Sequence, residues 1–281
     1  MLAIIGGTGL YQIQGLETIE TLQTDTPFGP PSAPIVKAVY QNTELLFLPR
    51  HGDNHDRLPH EINYPANIFA LKKQGATRIV SVSATGSLQE NIHPGDIVLP
   101  SQYFDWTRGS RQSSFFGNGL SAHISTAEPV CPGLIRWIAD HAGKMDLTLH
   151  TGKTYACVEG PRLGTKAESH FLRLAGCDLV GMTNVPEAFL AKEAQICYAA
   201  ICIITDYDCW KEDPSHHASL ASVLALYSRT IESVQDLLRS LMASEPPPAD
   251  CTCRTSLKDA VITPDGQVPA SLQDMLAILR T

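Results

Sequence analysis

The sequence predicts an α/β fold in which helices pack on the faces of a central β-sheet. Short apolar runs rich in β-branched residues recur from the N-terminus to Ile204, and such runs are typical of strands. Helix signals lie between several of these runs, as expected when strands and helices alternate. Hydrophobic residues make up 43% of the 281 residues and charged residues 18%, which is enough apolar material for a sizeable core. We therefore expect one domain spanning residues 1–281.

The individual elements follow from local signals. A first helix is expected to begin near Pro65, since proline is favoured in the first turn, and to end at Gly75. A second should follow Thr165, which can form a capping box with Glu168, and should end at Gly176. The predicted strands are Leu2–Ile5, Ile35–Tyr40, Leu45–Leu48, Arg78–Val82, Ile97–Leu99, Thr154–Val158, Leu179–Met182 and Ala199–Ile204.

The C-terminal part contains one long predicted helix and a short tail. After Ser219, apolar residues recur at helical spacing on one face, and we expect that face to be buried in the core. Three consecutive prolines after Glu245 then impose an extended segment. Residues 245–281 are too few for a second domain, so we expect a C-terminal extension packed on the first. The apolar face comprises Leu220, Val223, Leu224, Tyr227, Ile231, Val234, Leu238 and Leu241.

Charge and targeting signals exclude some classes of function. The formal net charge is -8 with acidic residues scattered along the chain, unlike the basic footprint of a nucleic-acid-binding protein. The N-terminus has no basic region followed by a long apolar stretch, so it does not resemble an export signal. Because no apolar run approaches the roughly 20 residues that span a membrane, we expect a cytoplasmic protein without membrane contact.

The eight cysteines form two groups. Six are dispersed, several within apolar runs, and are expected to be buried free thiols. Cys251 and Cys253 form a C-x-C pair in the tail, which is too close for an ordinary zinc site without further paired ligands. Two interpretations remain: the pair is inert, or it is redox-active or joined in a disulfide bond.

Three polar segments follow predicted strands near the N-terminus. The first is glycine-rich, Gly6–Gly9, and is either a structural tight turn or a place where backbone N–H groups approach an anion. A dinucleotide-binding fingerprint fails there because Gln12 stands where its third glycine belongs. The others are Arg50-His51-Gly52, whose arginine could hold phosphate, and the hydroxyl-rich run Ser81–Ser87.

A fourth segment, Thr205-Asp206-Tyr207-Asp208, places two carboxylates at a strand end. Residues two apart on an extended chain point the same way, so both can face one ligand. The pair could cap a helix, bind a metal or present an acid to a leaving group. A metal is disfavoured, because no carboxylate or histidine cluster lies near enough in sequence to complete a hard-cation shell.

The order of these motifs resembles that of 5′-methylthioadenosine phosphorylases. The resemblance runs from the N-terminus to about Trp210, and the tail also resembles that of many members. It implies a mixed, partly closed central β-sheet surrounded by helices, assembled as a homotrimer. The matching segments are Gly6-Gly7-Thr8-Gly9-Leu10, Thr26-Pro27-Phe28-Gly29, Arg50-His51-Gly52, Asn63-Tyr64-x-Ala66-Asn67, Pro94-Gly95-Asp96, Glu159-Gly160-Pro161-Arg162, Met182-Thr183-x-x-Pro186-Glu187 and Thr205–Trp210.

The resemblance also implies roles for individual residues. Asp206 would protonate N7 of the purine as the catalytic acid, and Asp208 would meet the 6-amino group. Met182 would lie against the ribose, while Leu220 and Val223 would meet the 5′ end. The phosphate ligands would be Thr8, Arg50, His51, Ser83, Ala84 and Thr183.

Three positions bear on specificity or assembly. Many members have Phe-Ser where this chain has Leu163-Gly164, so stacking on the purine would be lost or replaced by softer packing. His123 resembles a residue that closes a neighbouring subunit's pocket, although a lone histidine is more often structural. Either histidine of the segment 211–219 could also approach the site.

The implied reaction is phosphorolysis of 5′-methylthioadenosine, with inorganic phosphate as co-substrate and no cofactor. A phosphorylase for methylthioinosine, adenosine or inosine is the alternative, and Asp206 together with Asp208 favours 6-amino purines over 6-oxo purines. A nicotinamide-dependent dehydrogenase is suggested only by the N-terminal glycines. A binding protein without activity would not need an acid at the base.

Overall fold

The structure, a computed structural model, describes residues 1–7, 10, 13–213 and 220–281, without the side chains of Leu220 and Ser222. Its strands are β1 (Leu2–Gly6), β2 (Leu16–Leu22), β3 (Ile35–Tyr40), β4 (Thr43–Pro49), β5 (Arg78–Ser87), β6 (Ile97–Trp106), β7 (Leu149–Val158), β8 (Leu179–Gly181) and β9 (Cys197–Asp206). Its α-helices are α1 (Tyr64–Lys73), α2 (Pro132–Ala142), α3 (Lys166–Leu174), α4 (Asn184–Glu193), α5 (Leu220–Met242) and α6 (Ala270–Leu279).

The sheet is mixed and closes on itself over part of its width. The strand order is β2-β3-β4-β1-β5-β8-β7-β6-β9, and β9 also pairs with β5, so that the last five strands form a closed ring. The β5–β9 pair is parallel, whereas β6 and β9 are antiparallel. Strands β1, β4, β3 and β2 continue from β5 as an open wing. This arrangement confirms the predicted mixed, partly closed sheet.

The eight predicted strands are present, and one further strand was missed. β2 lies at the free edge of the wing and exposes most of its residues, so it lacks the apolar run that marks a buried strand. The capping box at α3 is present: Thr165 accepts the Glu168 N–H, and the Glu168 carboxylate accepts the Thr165 N–H. Helices α2, α4 and α6 were not predicted.

The long helix α5 departs from its predicted role. Its C-terminal half is buried, with Val234, Leu238 and Leu241 at most 1% exposed. Near its N-terminus, however, Leu224 is 55% exposed, so the prediction of a core stripe along the whole helix is wrong. The helix extends past the sheet core there, and its apolar residues meet a cavity instead. The side chain of Leu220 lies outside the described part of the chain.

Residues 245–281 lie against the body of the protein. Leu257, Met275 and Leu279 are buried in the same apolar cluster as residues of α1 and α4. The Arg78 guanidinium donates a hydrogen bond to the Pro247 carbonyl, at 3.1 Å from Nε. Within the described residues, no helix is both long and apolar enough to cross a membrane.

Candidate active site

A cavity of about 930 Å³ opens where the parallel strands β1, β4, β5 and β9 end. Ligands of open α/β sheets bind at such carboxyl ends. Two predicted residues do not contribute described side chains: Thr8 lies outside the described residues, and of Leu220 only the backbone is described. His123 is absent from the lining, and its N–H donates to the Ala260 carbonyl. The predicted residues that line the cavity are Arg50, His51, Ser83, Ala84, Leu163, Gly164, Met182, Thr183, Asp206, Asp208 and Val223.

Arg50 is oriented differently from the sequence expectation. Its planar fork faces Glu187, with Nε 2.7 Å from Oε2 and Nη2 3.0 Å from Oε1. Nη1 donates to the Val82 carbonyl at 2.9 Å, and Nη2 also donates to Ser81. The guanidinium has five N–H groups, so one has no partner among the described residues. Arg50 therefore cannot offer its fork to phosphate and retains a single donor.

Glu187 is a functional candidate to which the sequence reasoning gave no role. It is 1% exposed and accepts hydrogen bonds from Ser81 Oγ and Tyr198 Oη, both at 2.8 Å, besides those from Arg50. This network fixes the Arg50 side chain at the floor of the cavity. The signal was available, because Glu187 ends the Met-Thr-x-x-Pro-Glu motif.

His51 is a neutral imidazole at neutral pH. Burial and the adjacent Arg50 charge lower the pKa of His51 to about 4. Its Nδ1 lies 2.9 Å from the Arg57 carbonyl, which can only accept, so Nδ1 carries the proton. The other ring nitrogen, Nε2, then bears a lone pair. Such a nitrogen can accept a hydrogen bond from a protonated phosphate oxygen.

The remaining predicted anion ligands come from β5 and the start of α4. Ser83 Oγ donates to Asn184 Oδ1 at 3.2 Å, and Thr183 immediately precedes α4. Arg111 holds the backbone on both sides of Thr183, since its Nη1 donates to the Met182 and Val185 carbonyls at 2.7 Å each. The segment from Met182 to Val185, which includes Thr183, is thus held by a buried guanidinium that the sequence reasoning did not identify.

Asp206 ends β9 with both carboxylate oxygens engaged. Oδ2 accepts the Thr205 hydroxyl at 2.7 Å and Oδ1 accepts the Asp208 N–H at 2.6 Å. Burial nevertheless raises the pKa of Asp206, and the neighbouring Asp208 charge adds to the rise while the two donors reduce it. A carboxyl group whose pKa is raised keeps its proton to higher pH, as a general acid requires.

Asp208 lies in a turn and not on the extended strand from which the sequence predicted its direction. The strand ends at Asp206, and Asp208 adopts a left-handed backbone with φ of 55°. Both carboxylates line the cavity, as predicted. The cause is this turn, and not the alternation of side chains along an extended strand. Burial raises the pKa of Asp208, and the nearby Ser169 hydroxyl and Cys209 reduce the rise.

Two glycines make room for these side chains. A Cβ at Gly86 would lie 2.9 Å from Asp206 Oδ1, so a side chain there would displace the carboxyl group. Gly160, with φ of 70°, leaves space for Met182, whose Sδ would lie 2.6 Å from a Cβ. Gly164 differs, because a Cβ there would meet the Asp208 oxygens at 3.7 Å, an ordinary contact.

The wall of the cavity formed by α5 is apolar. Val223, Leu224, Tyr227 and Ile231 of α5 line it. At the rim, Leu163 is 46% exposed and Trp106 is 45% exposed. The cavity therefore combines hydrogen-bond donors, two carboxyl groups and an apolar wall, a combination suited to a nucleoside and an anion.

Known proteins are similar to this chain over nearly its whole length. The Phosphorylase superfamily model matches residues 1–243. S-methyl-5′-thioadenosine phosphorylase of Geobacter sulfurreducens is 42% identical, covering 99% of this chain and 97% of that protein. Its counterpart from Nitrosopumilus maritimus is 44% identical over 92% of this chain and 97% of its own length.

Solved structures show the same similarity. A methylthioadenosine phosphorylase from an antarctic soil metagenomic library has a TM-score of 0.90 and 42% identity, covering 99% of this chain and 98% of that one. A variant of adenosine/methylthioadenosine phosphorylase from Schistosoma mansoni, solved in complex with methylthioadenosine, has a TM-score of 0.85 and 31% identity over 93% of this chain and 98% of its own. The chain therefore belongs to the phosphorylase superfamily and, within it, to the 5′-methylthioadenosine phosphorylase family.

Proposed function

We propose that this chain cleaves the N-glycosidic bond of 5′-methylthioadenosine with inorganic phosphate, releasing adenine and 5-methylthioribose 1-phosphate. The observation that carries the proposal is the carboxyl pair of half-buried Asp206 and buried Asp208, which shares one cavity with His51, Ser83 and Thr183. In the reaction a phosphate oxygen bonds to C1′ while the C1′–N9 bond breaks. The electron pair of that bond moves onto the purine, which takes a proton at N7. The relatives named above carry the same activity in their names.

Asp206 supplies that proton. Adenine leaves poorly as an anion, so protonation of the departing base lowers the barrier, a contribution typically of ~10²–10⁴ in rate. The raised pKa of Asp206 lets the carboxyl group keep its proton to higher pH than an exposed aspartate does. The Thr205 hydroxyl and the Asp208 N–H then stabilise the carboxylate that remains after transfer.

The phosphate lies at the opposite end of the cavity. Thr183 supplies a hydroxyl donor, Ser83 and Ala84 lie beside the phosphate, and Arg50 supplies its remaining N–H. His51, neutral at pH 7, accepts a hydrogen bond from a protonated phosphate oxygen at Nε2. Thr8 belongs to this set by its place in the motif. No further cofactor takes part.

The sugar and the base are distinguished by the other walls. Met182 presents a polarizable thioether to the ribose, on which positive charge grows as the bond breaks. The apolar side formed by Val223 and its neighbours on α5 suits a methylthio group better than a hydroxyl. Asp208 accepts a hydrogen bond from the 6-amino group and disfavours a 6-oxo group. Leu163 and Gly164 cover the base without an aromatic ring.

The assembly is a homotrimer in this proposal, with His123 of one copy near the cavity of the next. An aromatic patch beside the cavity supports it: Trp106 and Phe171 are 45% and 46% exposed, and their ring centroids lie 5.0 Å apart. Exposed apolar patches of this kind are typical of subunit interfaces. A measured mass of three chains supports the assembly, whereas a monomer at micromolar concentration refutes it. A cytoplasmic location is also proposed, because free thiols persist in reducing compartments.

The test is adenine release by the purified chain from 5′-methylthioadenosine, with and without inorganic phosphate. We expect release only with phosphate, and a higher kcat/KM than for adenosine or methylthioinosine. Release at equal rates without phosphate identifies a hydrolase. Faster turnover of methylthioinosine assigns the base preference to 6-oxo purines and refutes the role given to Asp208. A variant with Asp206→Asn serves as the control for contaminating activity.

A further inference from the structure

Four cysteines from three distant parts of the sequence meet at one point of the fold. Cys131 immediately precedes α2 and Cys197 begins β9, whereas Cys251 and Cys253 belong to the C-terminal extension. Their four sulfur atoms all lie within 4.8 Å of one another. Within this cluster, Cys251 Sγ lies 3.2 Å from Cys197 Sγ and 3.7 Å from Cys131 Sγ. The fold thus supplies the two further ligands that the C-x-C pair lacks in the sequence.

We propose that Cys131, Cys197, Cys251 and Cys253 form a structural zinc site that fixes the C-terminal extension to the start of β9. A zinc ion with four sulfur ligands at about 2.3 Å separates neighbouring sulfur atoms by about 3.8 Å in tetrahedral geometry. The observed separations, 3.2 and 3.7 Å with none above 4.8 Å, lie on both sides of this value and well above the roughly 2.05 Å of a disulfide bond. Four thiolates are a ligand set that zinc takes in structural sites.

The residues around the cluster suit a negatively charged metal site. Each thiol loses its proton when it binds Zn²⁺, so that four thiolates and the cation carry a net charge of about -2. Lys192 Nζ lies 3.9 Å from Cys253 Sγ and donates to the Glu128 carbonyl at 2.9 Å, which places a fixed positive charge beside the sulfur atoms. Lys192 is itself 7% exposed. Cys131 lies at the N-terminus of α2, where a thiolate is favoured.

The position of the cluster assigns it a structural role. Four protein ligands leave no open coordination site for a substrate or a reactive water. Cys197 and Asp206 are the two ends of β9, so the cluster and the proposed acid are separated by the length of a ten-residue strand, roughly 30 Å. The site therefore joins the extension to the strand that carries Asp206, at the end remote from the cavity.

The experiment is metal analysis of the full-length chain, purified in reducing buffer without added chelator. We expect about one zinc per chain, and release of that zinc when a mercurial reagent blocks the thiols. The Cys251→Ser/Cys253→Ser double variant should retain less than about 0.1 zinc per chain. Cys177→Ala is the matched control, since Cys177 is a buried cysteine outside the cluster, and it should keep its zinc.

Several results overturn the proposal. One is a wild-type chain without zinc whose intact mass is about 4 Da below that expected for free thiols, because two disulfides then replace the site. Others are free thiols that bind no added Zn²⁺, iron in place of zinc, or a double variant that keeps its metal. If the double variant fails to fold, the metal content and mass of the wild-type chain still decide the matter.

Discussion

Replacement of Asp206 with asparagine removes the proposed proton donor while nearly preserving its shape. The amide oxygen of asparagine can still accept the Asp208 N–H that Asp206 Oδ1 accepts at 2.6 Å. The amide nitrogen can donate to Thr205 Oγ1, which now lies 2.7 Å from Oδ2. The turn that presents Asp208 therefore survives the change. An amide can donate a hydrogen bond to N7 of the purine but cannot transfer a proton.

The magnitude follows from this difference. Loss of general acid catalysis costs about 10²–10⁴ in kcat, equal to roughly 3–5 kcal/mol of transition-state stabilisation. We expect the upper half of that range, because the other carboxyl group of the cavity, Asp208, is occupied by the 6-amino group and does not replace Asp206. KM for the nucleoside should change by less than about threefold, since the hydrogen bond to N7 is kept in the ground state.

The assay measures kcat and KM for adenine release across the pH range. Because burial raises the pKa of Asp206, its acid form persists below the raised pKa and is lost as the pH rises through it. The wild-type kcat should therefore fall on the alkaline side, and the variant should lack that fall. The reasoning is refuted by a variant whose kcat lies within about twofold of the wild type, or by an unchanged alkaline fall.

Three further changes test other parts of the account. Glu187→Gln leaves the buried Arg50 charge without its carboxylate, so we expect about 3–5 kcal/mol lower stability. KM should rise more for phosphate than for the nucleoside, and equal rises contradict the role of Glu187 in positioning Arg50. Asp208→Asn keeps a residue type that tolerates the φ of 55° at this position. The kcat/KM for methylthioadenosine divided by that for methylthioinosine should fall by about 10–100-fold, and an unchanged ratio contradicts the contact between Asp208 and the 6-amino group. Burial raises the pKa of Glu193 from its usual 4.5 to about 7, so the folded state binds a proton that the unfolded state has lost, and wild-type stability falls as the pH rises through that window. Glu193→Gln does not lose a proton, so its Tm relative to wild type should increase between about pH 5 and pH 8; a constant difference contradicts the shift.

The sequence predicted the parts of the site whose signals are local. A polar residue at the end of an apolar run is visible without a structure, and Arg50, Ser83 and Asp206 were found in this way. The order of several such motifs then identified the family. The eight predicted strands were found because each contains a short apolar run, whereas β2 was missed because it is an exposed edge strand.

The parts that were missed depend on contacts between distant segments. Glu187 holds Arg50 across 137 positions of sequence, so nothing near Arg50 indicates that its fork is already occupied. The cysteine cluster joins Cys131 to Cys251 across 120 positions, which no ligand spacing in the sequence reveals. Leu224 satisfies the helical spacing of a core residue, but its helix extends past the sheet, so periodicity alone predicted burial wrongly.

The most direct test of the central claim is the balance between the two products. Phosphorus NMR with 5′-methylthioadenosine and inorganic phosphate should show one molecule of 5-methylthioribose 1-phosphate formed for each adenine released. No adenine should appear when phosphate is omitted. Adenine released together with free 5-methylthioribose, with no new sugar phosphate signal, would show that water is the nucleophile and contradict the phosphate site described above.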